Sequence, residues 1–164
     1  MKKILVIGCP GSGKSTFARK LQKICQIPVV YLDRLYWNED KTTVERDVFI
    51  SKLKEALEME SFIMDGNYLS SMPLRLEACD TVFFLDYQAE ICLEGVRERM
   101  GTPRPDMPWI ETEEEAEFME FIRDFSIHSR GEILKLLEKH SEKNIFVFKT
   151  REDADSFLKS LKTE

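Results

Sequence analysis

No stretch of the chain approaches the roughly 20 apolar residues that a membrane-spanning helix needs. The first apolar run, Ile4 to Ile7, is too short for the core of a secretion signal. Both absences lead to the expectation of a cytoplasmic protein with no membrane partner. Histidine and cysteine are scarce, at two and four residues. Cys9, Cys25, Cys79 and Cys92 follow no C-x-x-C or zinc-ligand spacing, so reduced thiols are expected. His128 and His140 are isolated and suggest no metal site. A basic excess is also missing. The net charge is −6, whereas a duplex-DNA binder needs a basic face to neutralise phosphates. DNA is therefore not expected as the main partner, and any anion site must be built from a few placed cations. No repeat or low-complexity segment interrupts the chain. Its 164 residues, 43% hydrophobic and 33% charged, read as one soluble globular domain over 1–164.

Apolar, β-branched runs alternate with helical periodicity. Lys3 to Gly8 (KILVIG) is continuously apolar, as a parallel strand buried on both faces must be. Helical spacing follows from about Lys14 to Cys25. Further strands are predicted at Pro28 to Leu32, Phe62 to Asp65, Thr81 to Asp86 and Asn144 to Lys149. Helices are predicted from Thr43 to about Met59, over Ala89 to Met100, over Glu132 to His140 and over Glu152 to Lys162. Three prolines and a glycine make Gly101 to Pro108 a loop. Thr112 with Glu115 resembles a capping box that would open the next helix. Strands joined by helical crossovers give an α/β fold with a parallel sheet. The segment of about 101–117 reads as a lid inserted over one edge of that sheet.

The chemistry starts at residues 8 to 15, GCPGSGKS, which fit the G-x-x-x-x-G-K-[ST] pattern of a P-loop. Gly8, Gly11 and Gly13 let the backbone turn so that its N–H groups point inward as an anion nest, with Pro10 and Ser12 between them. The helix that begins near Lys14 adds its positive end. Lys14 is expected to reach the β- and γ-phosphates, Ser15 to ligate Mg²⁺, and Thr16 to meet the α-phosphate. The motif follows a buried strand and opens an amphipathic helix, which is the context it requires.

Three predicted strand ends carry carboxylates: Asp33, Asp65 and Asp86. Ligands of parallel α/β sheets lie beyond those ends. Asp65 is the first candidate to hold Mg²⁺, directly or through water. Asp33 is placed to take a proton from, or hydrogen-bond, a substrate hydroxyl. The competing reading makes all three turn or capping residues. Arg97, Arg104, Arg123 and Arg130 surround the lid and are candidates to stabilise transferred charge, with Arg97 favoured over Arg99. Their competing reading is a solvated surface paired with the glutamates of 111–117. Tyr36 and Trp37 either stack on a ligand or pack a helical hairpin against the sheet.

Taken together, GCPGSGKST, Leu32–Asp33, DGNY at Asp65 to Tyr68, Arg97/Arg99, RPDM at Arg104 to Met107 and KTR at Lys149 to Arg151 resemble the bacterial DNA topology modulation proteins. These belong to the adenylate-kinase-like P-loop kinases. The resemblance runs over essentially the whole chain. It implies a three-layer P-loop sandwich with strand order 2-3-1-4-5, an ATP site, a mobile lid and an acceptor site beside Asp33. It also implies that Arg151 borders the adenine. The chain departs from adenylate kinases where DGxPR becomes DGNYL, which removes the arginine that grips an acceptor phosphate; Arg75 is a candidate substitute. The expected function is a kinase that moves the γ-phosphoryl of MgATP to a nucleoside, a nucleoside monophosphate or another small hydroxyl compound. The alternative is a nucleotide-dependent regulatory protein related to DNA topology, with weak ATPase activity.

Overall fold

The chain is described by a computed structural model that covers residues 1–162. Five strands form one parallel sheet: β1 (Lys3–Gly8), β2 (Val29–Tyr31), β3 (Phe62–Asp65), β4 (Thr81–Leu85) and β5 (Asn144–Phe148). Their spatial order is β2-β3-β1-β4-β5, so β1 lies at the centre. Ile4, Leu5, Val6 and Ile7 are all fully buried, which is why the sequence there shows no alternation. Each such side chain contributes on the order of 2 kcal/mol of burial.

Helix α1 (Lys14–Cys25) leaves the tip of β1 and packs across β1, β3 and β2. The last helix, α9 (Arg151–Leu161), returns to the same face and touches α1. Between them Phe17, Phe83, Phe146 and Phe157 form a ring cluster with centroids about 5 Å apart. Among the remaining helices, α3 (Arg46–Leu57) lies between β2 and β3, and α5 (Ala89–Arg99), α6 (Ala116–Arg123), α7 (Phe125–His128) and α8 (Arg130–Lys139) lie between β4 and β5.

Several elements differ from the sequence expectation. The second strand stops at Tyr31, and Leu32–Tyr36 is a short helix, α2. Asp33 thus sits in a first helical turn instead of at a strand end. Met72–Ala78 is a further helix, α4, preceded by a 3-10 turn at Leu69–Ser71. The capping box is absent. Helix α6 starts at Ala116 with an extended Glu115 before it and no side-chain cap; Thr112, Glu113 and Glu115 line a cavity described below.

Candidate active site

The P-loop is built as its sequence requires. Gly11 and Gly13 have φ of 83° and 91°, and the Ser12 amide donates to the Cys9 carbonyl at 3.0 Å. Gly11 meets a second glycine that the sequence did not single out. A Cβ on Gly11 would collide with the Cys92 carbonyl of α5, and a Cβ on Gly95 would collide with the Gly11 carbonyl. Loop and helix therefore touch backbone to backbone. Replacing Gly95 by alanine must push the two apart. We expect the KM for ATP to rise about 10–100-fold in Gly95→Ala, the usual cost of an ångström-scale misplacement; an unchanged KM would mean the contact does not shape the loop.

Asn67 fixes the other side of the loop. Its side-chain amide accepts from the Gly8 N–H at 2.9 Å and donates to the Gly8 carbonyl. Tyr68 donates its hydroxyl to Asp33 at 2.5 Å. The DGNY motif is thus a bracket between phosphate loop and Asp33. Arg75, proposed as an anion clamp, is fully buried and donates to the carbonyls of Gly66, Asn67 and Tyr68. Burial pushes its pKa down to about 9, so it remains a cation at neutral pH. It holds the bracket from below and has no donor facing a ligand.

Ser15 donates its hydroxyl to Asp65 Oδ2, while Asp65 Oδ1 is buried with no partner among the described residues. Burial is the main cause that lifts the Asp65 pKa to about 6, against the pull of Lys14 and Ser15. A hydroxyl beside a half-satisfied buried carboxylate supplies the hard oxygen donors that Mg²⁺ prefers. No cluster of three metal-ligating side chains exists among the described residues, so phosphate and water would complete the shell, as is usual for Mg²⁺. Lys14 donates to the Cys9 carbonyl at 3.2 Å. Asp33 is also shifted upward, by burial first, with the Tyr68 hydrogen bond opposing.

Two cavities adjoin the loop. One, of about 490 Å³, is lined by Gly11 to Thr16, Arg19, Arg99, Arg104 and Arg151. The other, of about 670 Å³, is lined by Asp33, Asp65, Tyr36, Trp37, Tyr68 and Trp109 among others. Lys14, Ser15, Arg99, Arg104 and Asp106 line both. The described structure places Pro10 in the wall of the second cavity and Arg151 in that of the first. Gly8 lies behind the loop under Asn67. Tyr36 packs on Phe49 and Tyr68 and lines the second cavity beside Trp37.

The arginine set is rearranged. Arg97 is half exposed and pairs with Glu114 at 2.6 Å, lining neither cavity. Its neighbour Arg99 lines both. Arg123 is exposed and lines neither. Arg130 is bidentate on Asp86, which also binds Lys149, so this pair ties α8 to the end of β4. Burial acts to raise the Asp86 pKa, but those cations hold it below the ordinary range. Of the four candidates only Arg104 reaches the loop. Arg19 of α1, which no motif in the sequence singles out, lines the first cavity and pairs with Asp106.

Carboxylates pair with the arginines in and around segment 101–117. Arg99 grips Glu111 with two nitrogens at 3.1 and 3.2 Å. Arg104 holds Glu111 at 2.9 Å and Asp106 at 3.1 Å, and Arg19 reaches Asp106 at 3.4 Å. Arg34 donates to the carbonyls of Pro105 and Met107 at 2.8 and 3.0 Å.

Comparison with known proteins agrees with this fold. In the solved shikimate kinase from Acinetobacter baumannii, in complex with shikimate, the match covers 99% of this chain and 94% of that one, with TM-score 0.62 and 15% identity. For the shikimate kinase from Bacteroides thetaiotaomicron the figures are 98%, 96%, 0.59 and 19%. For a gluconokinase from Sinorhizobium meliloti they are 99%, 90%, 0.58 and 14%. The chain has the P-loop kinase fold. Curated adenylate kinases from Thermotoga petrophila and Thermotoga maritima are each 31% identical over 88 residues, 52% of this chain and 39% of theirs. The match therefore spans well under half the length of those relatives. No family model matches the chain. None of the five P-loop kinases named here carries a DNA-topology name. Among the described residues, no helix is long and apolar enough to cross a membrane.

Proposed function

We propose that this protein is an ATP-dependent kinase that phosphorylates a small hydroxyl compound held in the second cavity. The observation that carries this reading is the junction of two cavities at Lys14, Ser15, Arg99, Arg104 and Asp106. Phosphoryl transfer needs a donor and an acceptor on opposite sides of one phosphorus, with cations at the crossing point.

In this reading the triphosphate lies along the P-loop, its base toward Arg151, its γ-phosphate at Lys14. Ser15 and Asp65 would hold Mg²⁺, which when bound neutralises β- and γ-oxygens. Thr16 faces the α-phosphate. Arg104, with Arg99, turns from its carboxylates toward the transferred group. Asp33 orients the acceptor hydroxyl and takes its proton as the new O–P bond forms and the bond from Pγ to the bridging oxygen of ADP breaks. The kinases with this fold and the partial match to adenylate kinases support the general class; the acceptor and the preference for ATP over GTP belong to the proposal.

The test is ADP formation from MgATP or MgGTP across nucleosides, nucleoside monophosphates and small alcohols. Acceptor-stimulated turnover supports the reading. Turnover that no acceptor stimulates, together with ATP-dependent DNA binding, would favour the regulatory alternative. Asp33→Asn should lower kcat with acceptor by about 10²–10⁴-fold while leaving the KM for ATP near wild type. Because burial holds the Asp33 pKa above the ordinary carboxylate range, the acid limb of the rate profile should sit high and lose one ionisation in the variant, the other being that of Asp65. An acid limb of unchanged steepness and position would assign the proton to another group.

A further inference from the structure

We infer that the second cavity selects a hydroxyl compound with a flat aromatic body and no anionic group; this rests on reading that cavity as the acceptor site. Its walls are rings. Trp37, at the end of α2, and Trp109, on the lid, meet edge to face at 5.3 Å and 88°. Tyr36 and Tyr68 form a second such pair at 5.1 Å. The paired rings already touch, so a ligand lies against the ring surfaces that line the cavity, and a flat aromatic body covers such surfaces best. A volume of about 670 Å³ accommodates a ring system with a hydroxyl-bearing arm.

Charge excludes anions. Six carboxylates line the cavity, Asp33, Asp65, Asp106, Glu111, Glu113 and Glu115, against the four cations Lys14, Lys41, Arg99 and Arg104. Lys14 belongs to the donor phosphates. Arg99 and Arg104 are held by Glu111 and Asp106. Lys41 lies 5.8 Å over the Trp109 ring and is exposed. Arg75, which might have gripped an acceptor phosphate, is sealed beneath the floor on three carbonyls. An incoming phosphate or carboxylate thus meets an excess of like charge, with exposed Lys41, among the described residues, the one lining cation neither held by a carboxylate nor assigned to the donor, and specificity follows from repulsion as much as from fit.

The chain supplies its own reporter. Trp37 and Trp109 are the only two tryptophans, and both line this cavity, so tryptophan emission reads the site without any turnover. The experiment titrates the full chain with matched probes: adenosine against AMP, thymidine against its 5′-monophosphate, and 2-phenylethanol against phenylacetate. The expected result is a saturable emission change with at least one uncharged probe, its anionic counterpart binding at least about tenfold more weakly. The double variant Glu113→Lys, Glu115→Lys, altered only at exposed rim positions, should narrow that gap. An anionic probe that binds as well as its counterpart overturns the inference, as does silence with all six probes or a gap unmoved by the double variant. Because no ATP is present, a missing kinase activity would count against phosphoryl transfer and leave this readout intact.

Discussion

Lys14→Ala should lower ADP formation by at least about 10²–10³-fold, the usual cost of removing one group that faces developing charge. The ammonium lies at the point where the two cavities meet. Its hydrogen bond goes to the Cys9 carbonyl, and among the described residues it is in no ion pair. The other cations of the junction are different: Arg99 and Arg104 are each bound to carboxylates. Lys14 is thus the cation that needs no partner displaced before it meets a phosphate. Its removal should also weaken MgATP binding in calorimetry. The melting temperature should stay near wild type, since the side chain is only half-buried and supports no core contact. A variant that turns over normally would take the P-loop out of the chemistry.

Asp65→Asn should do two opposite things: abolish most Mg²⁺-dependent turnover, by about 10²-fold or more, and stabilise the ligand-free protein at neutral pH. The second effect follows from burial. Raising this carboxylate to about 6 corresponds to about 3 kcal/mol against its ionised form. The folded chain binds that proton more tightly than the unfolded chain does. Stability from this group therefore falls as pH rises from about 4 through about 6, and the full penalty is present at pH 7. Asparagine removes the charge, so the variant should melt about 6–12 °C higher than wild type at pH 7.5, with about a third of that gap left at pH 4.5. Adding MgATP should restore the wild type and do little for the variant. An equal difference at both pH values would show that charge is not the cause.

The phosphate loop was legible because every part of it is local: glycines, lysine and serine lie within eight residues, between a strand and a helix. The sheet was legible because buried parallel strands leave continuous apolar runs. What could not be read depends on pairing across the chain. Arg97 and Arg99 are two residues apart and chemically alike; only the turn of α5 decides that Arg99 faces the loop and Arg97 faces Glu114. Arg130 looked like part of the lid because nothing in sequence announces its bond to Asp86, 44 positions away. Asn67 stands in the sequence only as part of DGNY, and its two bonds to Gly8 span 59 positions. Leu32–Tyr36 was hidden because VVYL carries strand propensity up to the residue where the helix begins.

The carboxylates that pair with these arginines also set a threshold. Glu111 and Asp106 act as built-in counterions for Arg99, Arg104 and Arg19, so the cations do not lie open to whatever anion drifts past. Under the proposed function a lone orthophosphate would bring little to displace two acids at once, whereas a triphosphate anchored along the loop would arrive at high local concentration and unseat them. The resting protein would thereby be insulated from small anions, its arginines exchanging partners only for a ligand already held by its other end.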